Sequence, residues 1–276
     1  MAGPLSEAQV ELFRTNGYLI LRNSEHRLAT PTDLQKWTDE VRTWPLEKGK
    51  WMPYNETNAD GNPQLMRTEY FVDFHRLFHS LLYGRKLGDI LAQLSGSEMR
   101  LFKDKINYKS PRASGFKPHI DAPGYDHIGN IEHLTANFAV DPATIENGCL
   151  EVVAGSHRAE FDLVQGAELS AAWEAAHEWT PVLLDAGDLL IFGSHLAHRS
   201  APNLSTRPRA SIYATYHGSE DGADLREKYY AHRRVAFPPD HEREDGKDYE
   251  EGRKRYGSAA HFAVPKVSQS IASVAI

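Results

Sequence analysis

His119 and Asp121 stand two residues apart in the stretch Lys117-Pro118-His119-Ile120-Asp121. Side chains at i and i+2 of an extended strand point to one face, so an imidazole nitrogen and a carboxylate oxygen can reach one ion. A second histidine from a distant strand would complete a two-histidine, one-carboxylate triad. Such a triad holds one face of Fe(II) and leaves the other positions open for ligands. Two residues compete for that place, His195 and His198, both just past the apolar run Leu189 to Phe192. Spacing does not choose between them. Arg209, at the end of the same stretch, carries a guanidinium fork that matches a carboxylate at two points. A dicarboxylate that chelates the metal through one end needs an anchor of that kind at its other end. Plainer readings exist for each feature alone: His-x-Asp arises often by chance, and a lone arginine after a loop commonly caps it or pairs with a surface acid.

The elements that must position these residues can be read from hydrophobic period. Ser6-Glu7-Ala8-Gln9 is a capping box, and Asn16-Gly17 ends the helix it begins. Tyr18 to Leu21 is a short buried strand. A helix runs from Thr30-Pro31 to Pro45, with Leu34, Trp37, Val41 and Trp44 on its buried side. Residues 45–64, rich in Pro, Asn and Gly, read as a long loop, either a lid over a site or a surface-packed segment. Phe74 to Leu82 and Leu87 to Leu94 are two short helices. From Met99 the period becomes two, with Leu101, Lys103, Lys105 and Asn107 alternating with Phe102, Asp104, Ile106 and Tyr108. Further strands are expected at Leu134 to Val140, Cys149 to Val153 and Ala210 to Tyr216. Val182 to Leu184 and Leu189 to Phe192 read as a tight hairpin, and Glu168 to Trp179 as an inserted helix. The charged run Asp240 to Arg255 reads as a solvated helix or an unstructured tail. Helices followed by many short strands point to a mainly β fold with a helical support layer, a jelly-roll or cupin-like double-stranded β-helix. A single domain is expected over residues 1–276: N-terminal helices to about 98, a β core from about 99 to 217, and a helical, charged tail from about 218.

Totals narrow the function. The chain has 276 residues, of which 41% are hydrophobic and 25% charged, enough for a full core. A formal net charge of −7 argues against nucleic acid or an anionic membrane as the main partner. One cysteine, Cys149, excludes an intramolecular disulfide and a Cys-rich zinc site. No apolar run approaches the roughly 18 residues of a membrane span, and the N-terminus has no charged-then-apolar signal. The expected location is the cytoplasm and the expected partner a small molecule, with homo-oligomerisation left open.

Together, His119-Ile120-Asp121 and the stretch Gly187 to Ser211 resemble the phytanoyl-CoA dioxygenase family of Fe(II)/2-oxoglutarate oxygenases. The matching pattern is Gly187-Asp188, the apolar strand Leu189 to Phe192, His198, Ser200, Asn203 and Arg209; Glu146 to Leu150 and Gly155-Ser156-His157 resemble the segment between the metal ligands. The resemblance implies a double-stranded β-helix with iron on His119, Asp121 and His198. It implies 2-oxoglutarate on the metal, its far carboxylate on Arg209 and Ser200, with Asn107 and Thr135 as further contacts. It also implies that dioxygen is consumed, 2-oxoglutarate leaves as succinate and carbon dioxide, and a substrate C–H bond is oxidised. Halogenases of this type have a small residue where Asp121 stands, so hydroxylation is favoured.

Within that family, Lys103 to Lys109, His119 to Tyr125, His133 to Asp141 and Phe237 to Asp240 are most similar to enzymes that hydroxylate 2-aminoethylphosphonate and its N-methylated relatives. A phosphonate needs cationic partners, for which Lys105, Lys109, Arg112 and Lys117 lie near the metal strand in sequence. An ammonium end could rest on the aromatic faces of Tyr54, Tyr70 or Tyr125. The loop Ser110 to Gly115 departs from a more Gly-rich version in those enzymes. The alternatives are the same oxidation of a different small molecule or natural-product intermediate, a cupin-like metal enzyme independent of 2-oxoglutarate, and a binding module without catalysis.

Overall fold

The computed structural model describes residues 3–58, 60–129, 131–257 and 262. Among them the strands are β1 (Tyr18–Leu21), β2 (Met52–Thr57), β3 (Pro63–Glu69), β4 (Met99–Lys109), β5 (Phe116–His119), β6 (His133–Ala139), β7 (Leu150–Val152), β8 (Leu163–Gln165), β9 (Glu168–Leu169), β10 (Thr180–Val182), β11 (Leu189–Gly193), β12 (His198–Ser200) and β13 (Arg209–Gly218). The helices are α1 (Glu7–Asn16), α2 (Asn23–His26), α3 (Pro31–Arg42), α4 (Arg76–Leu82), α5 (Arg85–Ser95), α6 (Ala171–Ala175), α7 (Leu225–Ala236) and α8 (Glu250–Gly257). None is long and apolar enough to cross a membrane.

Two antiparallel sheets face each other. One runs β1-β11-β6-β13-β4-β3-β2 and the other β10-β7-β12-β5-β9-β8, with the chain crossing between them, which is a double-stranded β-helix. Strand alternation sorts the side chains. On β13, Ala210, Ile212, Ala214 and Tyr216 turn outward to the helices, while Arg209, Ser211, Tyr213 and Thr215 take the inner positions. Leu189 and Ile191 likewise pack with Leu34, Phe78 and Leu91 of the helices, and Leu190 and Phe192 pack inward with Leu150, Val152 and Val182. Each fully buried Leu or Phe contributes roughly 1.5–3 kcal/mol, so the outer layer of α1, α3, α4 and α5 fixes the large sheet firmly. The Ser6–Gln9 capping box forms, and Thr30 caps α3.

Several expectations need correction. Residues 45–64 are not one long loop. They contain β2 and the start of β3, a hairpin that extends the large sheet along β4. Its buried positions are Met52, Tyr54 and Glu56, so a buried acid broke the apolar alternation that marks a strand. Trp51 is core, its ring packed at a tilt against Trp44 and its Nε1–H donated to the Pro45 carbonyl. The large sheet therefore takes β1, β2 and β3 from the part read as N-terminal helices. Val182 and Leu189 do not share a hairpin. β10 pairs with β7 in the small sheet and β11 with β1 and β6 in the large one. The turn at Asp185–Asp188 carries the chain across, fixed where the Asp188 carboxylate accepts from the Asp185 N–H and from Arg22. The segment from Glu168 begins as β9 and holds only the short α6, and α2 went unread. The charged tail is more than a solvated helix. Tyr249 and Tyr256 pack with Tyr229 and Phe237 of the α7 region, and a Cβ at Gly252 would lie 1.8 Å from the Ala236 carbonyl oxygen, so α8 sits directly against α7. Residues 258–261 and 263–276 of that tail lie outside the described residues.

Candidate active site and metal centre

β5 and β12 are neighbours in the small sheet, with His119 opposite His198 and their ring centroids 4.1 Å apart. His119 Nδ1 lies 2.7 Å from the Lys117 carbonyl oxygen and His198 Nδ1 lies 2.9 Å from that of Leu196. A carbonyl only accepts, so each ring donates through Nδ1–H and keeps a bare Nε2, the arrangement a metal ligand needs. Asp121 reaches them differently from the expected strand geometry. β5 ends at His119, and Asp121 heads a tight turn, with its own N–H and that of Ala122 donating to the Ser194 carbonyl at 2.9 and 3.0 Å. His119 Nε2 is 3.9 Å from Asp121 Oδ1. One ligand atom from each of His119, Asp121 and His198 lies within 4.8 Å of the others, close enough for one ion to draw them together. His195 is not part of this group. Its ring contacts Ser194 Oγ at 3.3 Å and lines a separate cavity with His157 and Phe13.

The electrostatics suit a cation. Burial, reinforced by the neighbouring His198, pushes His119 down to about 3, so its ring stays neutral through the physiological range. Burial alone would raise the Asp121 carboxyl, but His198, His119 and Lys105 outweigh it and hold it well below the ordinary carboxylate range.

Next to the triad, a recess is lined by Asn107, Lys109, Ser200, Arg209 and Tyr213. Arg209 is 7% exposed and has no acid partner within ion-pair distance among the described residues. It donates to Ser211 Oγ at 2.8 Å and to the Gly148 carbonyl at 3.0 Å, while its Nε–H has no partner. Lys109 donates to the Gly148 carbonyl at 3.1 Å, to Ser200 Oγ at 2.9 Å and to the Ala201 carbonyl. Gly148 adopts φ 69°, and a Cβ there would lie 2.2 Å from the Ala201 oxygen and 2.8 Å from Lys109 Nζ, so the turn at 146–148 needs glycine. Asn107 Oδ1 is also buried without a partner. Two cations and unanswered polar atoms in one recess are what a carboxylate ligand would satisfy. Thr135 is not among the lining residues, and its hydroxyl is shared with Thr215 at 3.1 Å.

On the other side of His119 lies a second recess, lined by Arg67, Glu69, Lys103, Lys105, Asp121 and Tyr125 among others. Lys103 Nζ donates to Tyr125 Oη at 2.8 Å. Arg233 of α7 forms a two-point pair with Glu69 at 3.2 and 3.0 Å, and Arg67 approaches the same carboxylate at 3.3 Å. Lys105 lines both recesses and rests near the Tyr213 ring.

Of the residues read as substrate contacts, Lys105 and Tyr125 are brought to the triad, and Lys109 lies on the Arg209 side. Four are not brought there. Tyr54 is buried behind β3 and donates to the Phe237 carbonyl at 2.8 Å. Tyr70, at φ 57°, packs at a tilt against Tyr230 with the Arg226 guanidinium near its ring. Arg112, at φ 64°, turns outward to Asp60 at 2.7 Å. Lys117 pairs with Glu168 at 2.9 Å. The sequence reading missed Arg67, Glu69, Lys103, Arg233 and the buried His133 beside Tyr125. Arg67 and Glu69 did carry a signal, since they stand at i and i+2 of a strand and face Asn107 and Lys105 across the pair. Arg233, on a helix, carried none.

A double-stranded β-helix with a two-histidine, one-carboxylate cluster beside a buried arginine is the arrangement of a mononuclear metal site with a place for an anionic ligand. The model of the phytanoyl-CoA dioxygenase (PhyH) family matches residues 13–211, and the chain belongs to that family. It is a dioxygenase that works with Fe(II) and 2-oxoglutarate. It is 38% identical over 237 residues to dioxygenase lolE1 of Epichloe uncinata, covering 86% of this chain and 92% of that one. It is 34% identical over 253 residues to the 2-aminoethylphosphonate dioxygenase of uncultured bacterium HF130_AEPn_1, covering 91% and 96%. It is 37% identical over 234 residues to the methylphosphonate hydroxylase of Gimesia maris, covering 84% and 88%. The fold matches the crystal structure of EctD from S. alaskensis with 2-oxoglutarate and 5-hydroxyectoine, with a TM-score of 0.65 at 21% identity over 79% of this chain and 78% of that one.

Proposed function

We propose that the chain hydroxylates a small phosphonate of the aminoalkyl or alkyl type at a C–H bond. The observation that carries the reading is the bare Nε2 pair of His119 and His198 beside Asp121, set next to an arginine that lacks an acid partner. The phosphonate substrate rests on the two relatives that act on 2-aminoethylphosphonate and methylphosphonate, each more than a third identical or close to it. His119, Asp121 and His198 would hold the Fe(II). The Arg209 fork, with Ser200, Lys109 and Asn107, would hold the far carboxylate of 2-oxoglutarate. When bound, iron and 2-oxoglutarate with dioxygen supply the oxidising equivalent, 2-oxoglutarate leaving as succinate and carbon dioxide.

The chain's own residues do the rest. Lys117 and Leu196 carbonyls fix the tautomer and aim of the two imidazoles. The Ser194 carbonyl pins the Asp121 turn. Phe192 packs on the His198 ring at 5.2 Å and excludes water from that side. The test is turnover of 2-aminoethylphosphonate and methylphosphonate with Fe(II), 2-oxoglutarate and dioxygen, followed by mass spectrometry. A product heavier by one oxygen, formed in step with succinate and lost in Asp121→Ala, supports the reading. Succinate release that no phosphonate stimulates would remove the substrate assignment.

A further inference from the structure

We infer that the recess formed by β3, β4 and the turn after β5 is a subsite for a doubly charged phosphonate group, held by Arg67, Lys103 and Lys105. This rests on the function proposed above and adds the residues and the charge state they select. Arg67 is 4% exposed and Lys103 7% exposed, and both line the recess with Lys105. Two carboxylates are present. Glu69 is engaged at two points by Arg233, and Asp121 belongs to the metal cluster. Arg67 has only a 3.3 Å share of Glu69, and its Nε–H is buried with no partner. Lys103 donates one of its three N–H bonds, to Tyr125, and the Lys105 ammonium makes neither ion pair nor hydrogen bond among the described residues. Buried cations without answering anions are costly, and they persist where a ligand supplies the charge. Burial lowers the Lys103 ammonium to about 8 and the Lys105 ammonium well below its ordinary range, so a bound dianion would also hold the proton on each. Three cations around one recess match a dianion better than a single negative charge. The recess touches His119 and Asp121, so a phosphonate held there has its carbon chain beside the metal cluster.

Calorimetric titration of the anaerobic Fe(II)- and 2-oxoglutarate-loaded protein with 2-aminoethylphosphonate and with taurine, its singly charged sulfonate counterpart, tests the charge directly. At neutral pH the wild type should bind the phosphonate at least about tenfold more tightly than taurine. Lys103→Met should lose about tenfold or more of the phosphonate affinity and most of the preference, as when one partner of a buried charge pair is removed. Lys103→Arg, which keeps the charge, should recover part of both and guards against a mere folding defect. Equal affinity for the two ligands, or unchanged phosphonate binding in Lys103→Met, overturns the subsite. The visible band of the Fe(II)–2-oxoglutarate complex reports separately. Phosphonate selectivity without that band would keep the subsite and overturn the cofactor placement. The band without phosphonate selectivity would do the reverse.

Discussion

Two groups of buried cations flank His119, and they are compensated in different ways. Arg209 and Lys109 are cradled by neutral acceptors, namely the Gly148 and Ala201 carbonyls and the Ser200 and Ser211 hydroxyls. Arg67, Lys103, Lys105 and Arg233 surround one fully buried carboxylate, Glu69. The first group is built from two paired strands and a glycine turn, and in the proposed reading it would hold one carboxylate of the co-substrate. The second draws on β3, β4 and α7, with α8 folded over it, so its shape can change by altering any of several elements. In the proposed reading the first group would hold the co-substrate and the second the substrate.

The comparison can be broken at its hinge by removing a metal ligand. His198→Ala should abolish turnover and weaken metal binding by more than about 100-fold, since even outer partners of a ligand are worth 10–100-fold. His195→Ala should keep its iron, as measured by metal analysis after desalting. Glu69→Gln should act on stability and leave the Arg209 side intact. It strands Arg233, 1% exposed, and should cost about 3–5 kcal/mol in urea unfolding.

The same carboxylate gives a pH dependence. Burial would raise Glu69, but Arg233, Lys103 and Arg67 bring it down to about 2 from an ordinary 4.5. Its contribution is complete above 4.5 and is lost as pH falls from there towards 2. Wild type should lose stability over that window more steeply than Glu69→Gln, read from unfolding midpoints across pH.

Arg209→Met should weaken 2-oxoglutarate binding by about 2–5 kcal/mol, and Arg209→Lys should rescue little, because a lysine cannot offer the two-point fork. The smallest effect is expected at Lys109. Burial, with Arg209 nearby, lowers its ammonium to about 7. A bound carboxylate favours the charged form, so above pH 7 binding must take up a proton, and 2-oxoglutarate affinity should fall as pH rises past 7. Lys109→Met should flatten that profile while costing about tenfold in affinity below pH 7.

What the sequence made legible follows the same division. The metal cluster and the proposed co-substrate anchor lie in short contiguous stretches, His119 to Asp121 and Gly187 to Arg209, but spacing left His195 and His198 equal and only the family resemblance selected His198. The support helices were readable because Leu34, Val41 and Leu87 bury on one side at helical period. The second group was hidden because the barrel interior is polar along β2, β3 and β4. Lys103, Lys105, Asn107 and Lys109 alternate on β4 as a solvent-facing set would, yet they face inward. Glu56 fills a buried position of β2, within the expected loop, and Arg67 and Glu69 fill buried positions of β3, a stretch given no element, because none of them continues an apolar period of two. Arg233 is a buried charge on an amphipathic helix, and only its tertiary partner reveals it.

The most direct test of the division is an anaerobic titration of the Fe(II) protein with 2-oxoglutarate, following the visible charge-transfer band in wild type, Arg209→Met and Lys103→Met. The expected result is a band that needs both additions, a much weaker 2-oxoglutarate affinity in Arg209→Met, and wild-type affinity in Lys103→Met. Equal loss of 2-oxoglutarate affinity in both variants would contradict it, since the two groups of cations would then be one site.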